Sequence, residues 1–138
     1  MGEWYWWGLA AGLGTGIGVL LSGLLAWNRT VAVATVLLSA GVGLGVGLAI
    51  GEWDEAAACA AGGALAALGT APFARRSVEV GGTRVGTSLL IAGAALVAAA
   101  FALVPGLGYL EAVLLPALGV RLRARAPKRY AGLRTLAR

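Results

Sequence analysis

Residues 31–51 read VAVATVLLSAGVGLGVGLAIG, twenty-one consecutive positions without a charged side chain. Coiled as an α-helix, such a run is about 32 Å long, which is the thickness of the hydrocarbon core of a bilayer. The polar and charged segments stand at its borders, Asn28-Arg29-Thr30 before it and Glu52-Trp53-Asp54-Glu55 after it, with only the hydroxyls of Thr35 and Ser39 inside. Working outward from this stretch, the same pattern recurs. An apolar run from Trp4 to Ala26 precedes it, and runs from Ala56 to Ala74 and from Val85 to Val104 follow. The third is closed by the polar segment 75–84, and the fourth by Pro105-Gly106-Leu107-Gly108. A membrane β-barrel needs shorter segments that alternate polar and apolar residues, and these runs do not alternate.

Composition supports the same reading. Of 138 residues, 59% are hydrophobic and 12% are charged, against about 25% charged in a soluble domain, and the mean hydropathy is +0.85. So few charges cannot cover a water-facing surface of this size. The expected architecture is an all-α integral membrane bundle of about five transmembrane helices. The opening Met1-Gly2-Glu3-Trp4 has no basic region, and its apolar run is too long for a signal peptide, so the first segment is expected to remain as a span. Alanine and glycine dominate, and arginine outnumbers lysine ten to one, a composition that reads as bacterial and places the protein in the plasma (inner) membrane.

The fifth segment is the ambiguous one. Tyr109–Val120 holds Glu111 and Pro116 and would reach only about 18 Å as a helix, which suits either a thin crossing or a re-entrant segment. Charge asymmetry favours five crossings. One side then receives Arg29, Arg75, Arg76, Arg84 and the basic tail, which together are all eleven Lys and Arg; the other receives five of the six acids. Lys and Arg near membrane ends stay in the cytoplasm, so the N-terminus is expected outside and the C-terminus inside. Trp4, Tyr5, Trp6, Trp7, Trp53 and Tyr109 would then form an outer aromatic belt, with Trp27 and Phe73 at the inner one. Residues 1–122 are read as the bundle and 123–138 as a cytoplasmic tail. Thr30 and Asp54 stand where helix N-caps are wanted.

Glycine spacing is the most specific motif. Gly8, Gly12 and Gly16 recur every four residues in the first span; Gly41 and Gly45 form one row in the second, and Gly43, Gly47 and Gly51 another. Residues four apart share a helix face, and a face without side chains lets a second backbone approach closely. With small residues on two faces, the second span is expected at the centre of the bundle. Thr15, Ser22, Thr35, Ser39, Thr70, Thr87 and Ser88 are expected either to bond back to a carbonyl one turn away or to bridge to a neighbouring helix, and Cys59 to be a small inert hydrophobe.

Two residues are candidates for transport. Glu111 is the one acid placed to lie below the headgroups, where an ionisable group is costly and tends to handle protons or cations; the structural alternative is a hydrated carboxylate near the outer interface. Pro116 frees the carbonyl of Ala112, which either opens a site or leaves a tolerated kink. After the last apolar run, Arg121, Arg123, Arg125, Lys128 and Arg129 form a juxtamembrane basic cluster suited to anionic lipids, with Tyr130 and Leu133 on one face of a short surface helix. The chain has no histidine and a single cysteine, and no nucleotide-binding motif, metal-ligand cluster or catalytic set. No cofactor, enzymatic activity or nucleic-acid partner is expected. The functional expectation is a small channel or transporter acting as a homo-oligomer. The alternative is a non-transporting scaffold or accessory subunit that docks a larger membrane partner through its Gly/Ala faces.

Overall fold

The computed structural model describes residues 2–104 and 106–130, with side chains up to Leu122. Five helices account for nearly all of it: α1 (Glu3–Leu25), α2 (Arg29–Ile50), α3 (Trp53–Glu79), α4 (Arg84–Ala102) and α5 (Leu107–Tyr130), with no strand among the described residues. The first four are long and apolar enough to cross a bilayer. α5 has the length but is diluted by Glu111 and by the cations that begin at Arg121.

Helix starts are set by side chains at the polar borders. Asn28 caps α2 by accepting the Val31 N–H at 2.9 Å, and Thr83 caps α4 by accepting the Gly86 N–H at 3.1 Å. At α3 the Glu55 carboxylate takes the Glu52 N–H at 2.8 Å, the reciprocal half of a capping box. The caps are therefore Asn28 and Glu52, and the expectation of Thr30 and Asp54 is corrected. Each true cap lies two residues earlier because the helices begin within the polar borders and not at the first apolar residue.

The helices alternate in direction. Along α1 and α3 the contacts advance together, Gly14 on Cys59 and Gly18 on Gly63, so these two are parallel. Gly43 meets Cys59 while Gly47 meets Ala56, so α2 runs antiparallel to α3. Gly12 meets Ala102 and Gly23 meets Ile91, so α4 runs antiparallel to α1. α5 meets Gly8 of α1 through Gly108 and Gly69 of α3 through Pro116 and Gly119, which makes it parallel to both. One end of the bundle thus gathers the start of α1 and the α2–α3 and α4–α5 connections; the opposite end gathers the α1–α2 and α3–α4 connections.

α1 is the hub. It touches all four other helices and is closed on most sides by Gly8, Ala10, Ala11, Gly12, Gly14, Thr15, Gly16, Gly18, Val19 and Ser22. The expected centre, α2, lies instead at the periphery against α1 and α3, with only Thr35, Ser39, Gly43 and Gly47 buried. Its second glycine row has nothing within 4 Å of where a Cβ would stand at Gly41 or Gly45. Two glycine rows therefore need not mean two neighbours within one chain. Of the hydroxyls, Thr15, Ser22, Thr35 and Ser39 each donate to the carbonyl four residues earlier, at 2.7–2.9 Å, and Ser88 bridges to the Gly23 carbonyl. Satisfied in this way, they can be buried at little cost.

α5 corrects a second expectation. The fifth segment is not short: its 24 residues make a helix of about 36 Å. It runs without a break through Pro116 and through the boundary expected after residue 122 as far as Tyr130. Apolar run length underestimates it because arginines prolong a helix as well as leucines do. α3 is extended in the same way past Pro72 to Glu79, where Arg75 Nε lies 3.2 Å from Glu79 Oε1 across one turn.

Candidate functional site

The described residues form a tightly closed bundle. A methyl group at Gly14 would collide with the Cys59 carbonyl oxygen, one at Gly18 with the Gly63 carbonyl, and one at Gly62 with the Ala11 carbonyl. Helices α1 and α3 are therefore in backbone contact along most of their length, the geometry in which dispersion and Cα–H···O contacts hold helices together without large side chains. Gly8 receives the Tyr109 ring, Gly12 lies between Ala102 and Gly108, and Gly16 abuts Ala95 and Ala99. Gly43 and Gly47 seat α3, whereas Gly51 sits at the end of α2 against the Glu55 side chain.

Glu111 lies on α5, one of the two helices that pack only sparsely against α4. On α5, Gly108 marks the side that faces α1, and Pro116 and Gly119 the side that faces α3. At 3.6 residues per turn Glu111 falls about 60° from Gly108 on the flank away from α3. That is the α4 side, because α4 and α5 meet side by side at Gly12 through Ala102 and Gly108. These two helices touch each other only briefly. Towards the bundle α4 offers buried Ala95, Ala98 and Ala102, none of which can donate a side-chain hydrogen bond. Glu111 is half-buried, and its Oε2 is shut off from solvent with no hydrogen-bond partner. Pro116 does not break the helix. Its backbone packs on Gly69, with the nearest approach 2.9 Å from where a Cβ would stand, so it serves the α3–α5 crossing.

The two ends differ in chemistry. The end holding the start of α1 carries Glu3, Glu52, Asp54 and Glu55 and is tied by aromatic side chains. Trp7 Nε1 donates to Asp54 Oδ2 at 2.9 Å, the Tyr5 hydroxyl to the Leu103 carbonyl at 3.2 Å, and the Tyr109 hydroxyl to the Trp4 carbonyl at 2.5 Å. These bonds link the termini of α1, α3, α4 and α5. The opposite end carries Arg29, Arg75, Arg76 and Arg84. There Trp27 lies under the Arg84 guanidinium, 4.7 Å from ring centre to Cζ, and the Ser88 hydroxyl donates to the Gly23 carbonyl at 2.8 Å, joining α4 to α1.

Of the basic cluster expected to meet lipid, Arg121 is exposed on α5; the backbones of Arg123, Arg125, Lys128 and Arg129 continue that helix, and their side chains lie outside the described residues. Positions 131–138, including Leu133, lie outside them altogether. The start of the tail prolongs α5 to Tyr130; most of the surface helix expected around Tyr130 and Leu133 lies outside the described residues. The pairing of Trp27 with Arg84 was not foreseen. The two are 57 positions apart, and the one local hint is that each closes an apolar run at the basic border. Protein-family models, curated proteins and solved structures compared with this chain give no match.

Proposed function

We propose that this chain is a five-pass membrane protein of the bacterial plasma membrane, with its basic end in the cytoplasm, and that it acts as a small transporter or channel in homo-oligomeric form. The observation that carries the transport reading is the shielded, unpartnered oxygen of Glu111 at the α4–α5 seam. A carboxylate oxygen that is buried without a donor is costly unless the group binds a proton or a cation. The seam beside it is one of the two sparsely packed joints of the bundle, the other being α3 with α4. Loading and unloading of that carboxylate, coupled to opening of the seam, is the minimal mechanism this geometry allows. The substrate class is accordingly a proton or a small cation. Alternation of the helices supports five crossings, since α5 runs parallel to α1 and α3 and is long enough to span. Anionic lipids at the cytoplasmic face are the expected surroundings of the basic cluster.

The purified protein in liposomes should carry a proton or cation flux that Glu111→Gln lowers by about tenfold or more, since the variant keeps size but loses the charge. Flux that is absent, or unchanged in the variant, would remove the transport reading.

One observation favours a second reading. The interior is packed to backbone contact, while the Gly41/Gly45 face of α2 is uncovered. A non-transporting accessory subunit would have both features, with that face seated on a larger membrane partner. Co-purification of one stoichiometric membrane protein together with a silent flux assay is its signature.

A further inference from the structure

At the basic end, α1, α3 and α4 leave a shallow cleft between them, with Ala74 and Val78 on its apolar wall and Trp27, Arg84, Thr87 and Ser88 at its polar rim. We infer that this cleft seats the phosphate of an anionic phospholipid from the leaflet at the basic end, with Arg84 as the principal contact. The inference rests on the membrane reading above and adds a defined site to it, separate from the juxtamembrane cluster on α5.

Four observations converge. First, the cleft is open and shallow, with only about 10 Å³ of room, space for roughly one water, so a phosphate would meet Arg84 at its mouth and not inside it. A free metabolite cannot be engulfed there, whereas a lipid needs only a mouth at headgroup level. Second, the guanidinium of Arg84 is held over Trp27 by a cation–π contact. Stacking uses its face and leaves its N–H edge free, and that edge is the part that grips phosphate with two parallel bonds. Third, the charge is uncompensated. Among the described residues the one ion pair is Arg75 with Glu79, and Arg84 has no carboxylate partner. Fourth, α3 and α4 scarcely touch. The sparse α3–α4 contact leaves the cleft open between them, lined on its inner side by Gly23, Ala26 and Ala74. Ser88 is already committed to the Gly23 carbonyl, so it shapes the rim, and Thr87 is the hydroxyl that lines the cleft beside Arg84.

The test is lipid retention by the detergent-purified full chain, challenged with equal amounts of phosphatidylglycerol and phosphatidylcholine and read by native mass spectrometry. The wild type should retain phosphatidylglycerol in roughly tenfold preference, as expected for a charge-assisted bidentate contact. Arg84→Gln and Trp27→Leu should both abolish the preference. Arg29→Gln, which removes the same charge at the same end but outside the cleft, should keep it. Should Arg84→Gln misfold, Trp27→Leu carries the test alone. Equal retention of the two lipids by the wild type would overturn the inference, and so would equal loss in Arg29→Gln and Arg84→Gln, the sign of unspecific attraction. Displacement of the lipid by millimolar inorganic phosphate would reassign the cleft to a free anion. The membrane reading is judged separately by flotation of the wild type and variants with phosphatidylcholine vesicles. Co-flotation there leaves that reading standing even when the lipid preference is lost.

Discussion

Gly14→Ala will unfold the bundle or cost about 3 kcal/mol or more, although it adds a single methyl group to a helix. The methyl has nowhere to go: it meets the Cys59 carbonyl oxygen, part of the α3 backbone, which cannot swing aside as a side chain would. Separating α1 from α3 enough to admit it loosens the neighbouring contacts of Gly18 and Gly62 as well, because all three belong to one seam. Gly45→Ala is the control, with the same chemical change in open space on α2. There the substitution should be neutral or stabilising by up to about 1 kcal/mol through helix propensity alone. Denaturing-detergent titration of the two variants, followed by circular dichroism, checks the contrast. Equal midpoints would mean that α1 and α3 do not pack as described.

The second large effect is expected at Gly108. Leucine there would drive its side chain into the Gly8 carbonyl and prise α5 from α1. α5 has one other line of attachment, Pro116 and Gly119 on Gly69, with Leu115 against the apolar cluster around Val19 and Ile91. It should therefore detach locally while α1 to α3 remain folded. Amide exchange over residues 107–122 should rise by about 100-fold, equivalent to some 3 kcal/mol of lost local stability, with α1–α3 unchanged. Gly93→Leu on α4, where nothing lies within 4 Å, should leave exchange as it is. If Gly108→Leu leaves α5 as protected as the wild type, the α1–α5 crossing is misplaced.

These expectations show which parts of the molecule were legible in its sequence. The four long apolar runs announce α1 to α4 because a helix that long and that uniformly apolar has few other uses. The fifth was misjudged since length was measured between charges, and Arg121 and its successors prolong the helix without being apolar. Glycine rows reveal which faces admit close approach, but not what approaches. Gly43 and Gly41 are two residues apart in the same helix and near-identical in context, yet one rests on the α3 backbone and the other on nothing. That difference belongs to the tertiary arrangement, which placed α1 and not α2 at the hub. Glu111 could be singled out as an isolated acid, but that its Oε2 is buried without a partner depends on the tertiary arrangement. Arg84 and Trp27 were each visible as borders of apolar runs; their stacking required the antiparallel return of α4 along α1.

The claim on which the rest depends is the passage of this bundle through a membrane with its cations inside, and cysteine labelling in intact cells tests it most directly. In a Cys59→Ala background, single cysteines are placed at exposed Trp53 and Val80 and at position 138. A membrane-impermeant maleimide should label Trp53→Cys on intact cells, and should reach Val80→Cys and Arg138→Cys only after permeabilisation. Labelling of Val80→Cys from outside, or recovery of the protein from the soluble fraction without detergent, would contradict the account.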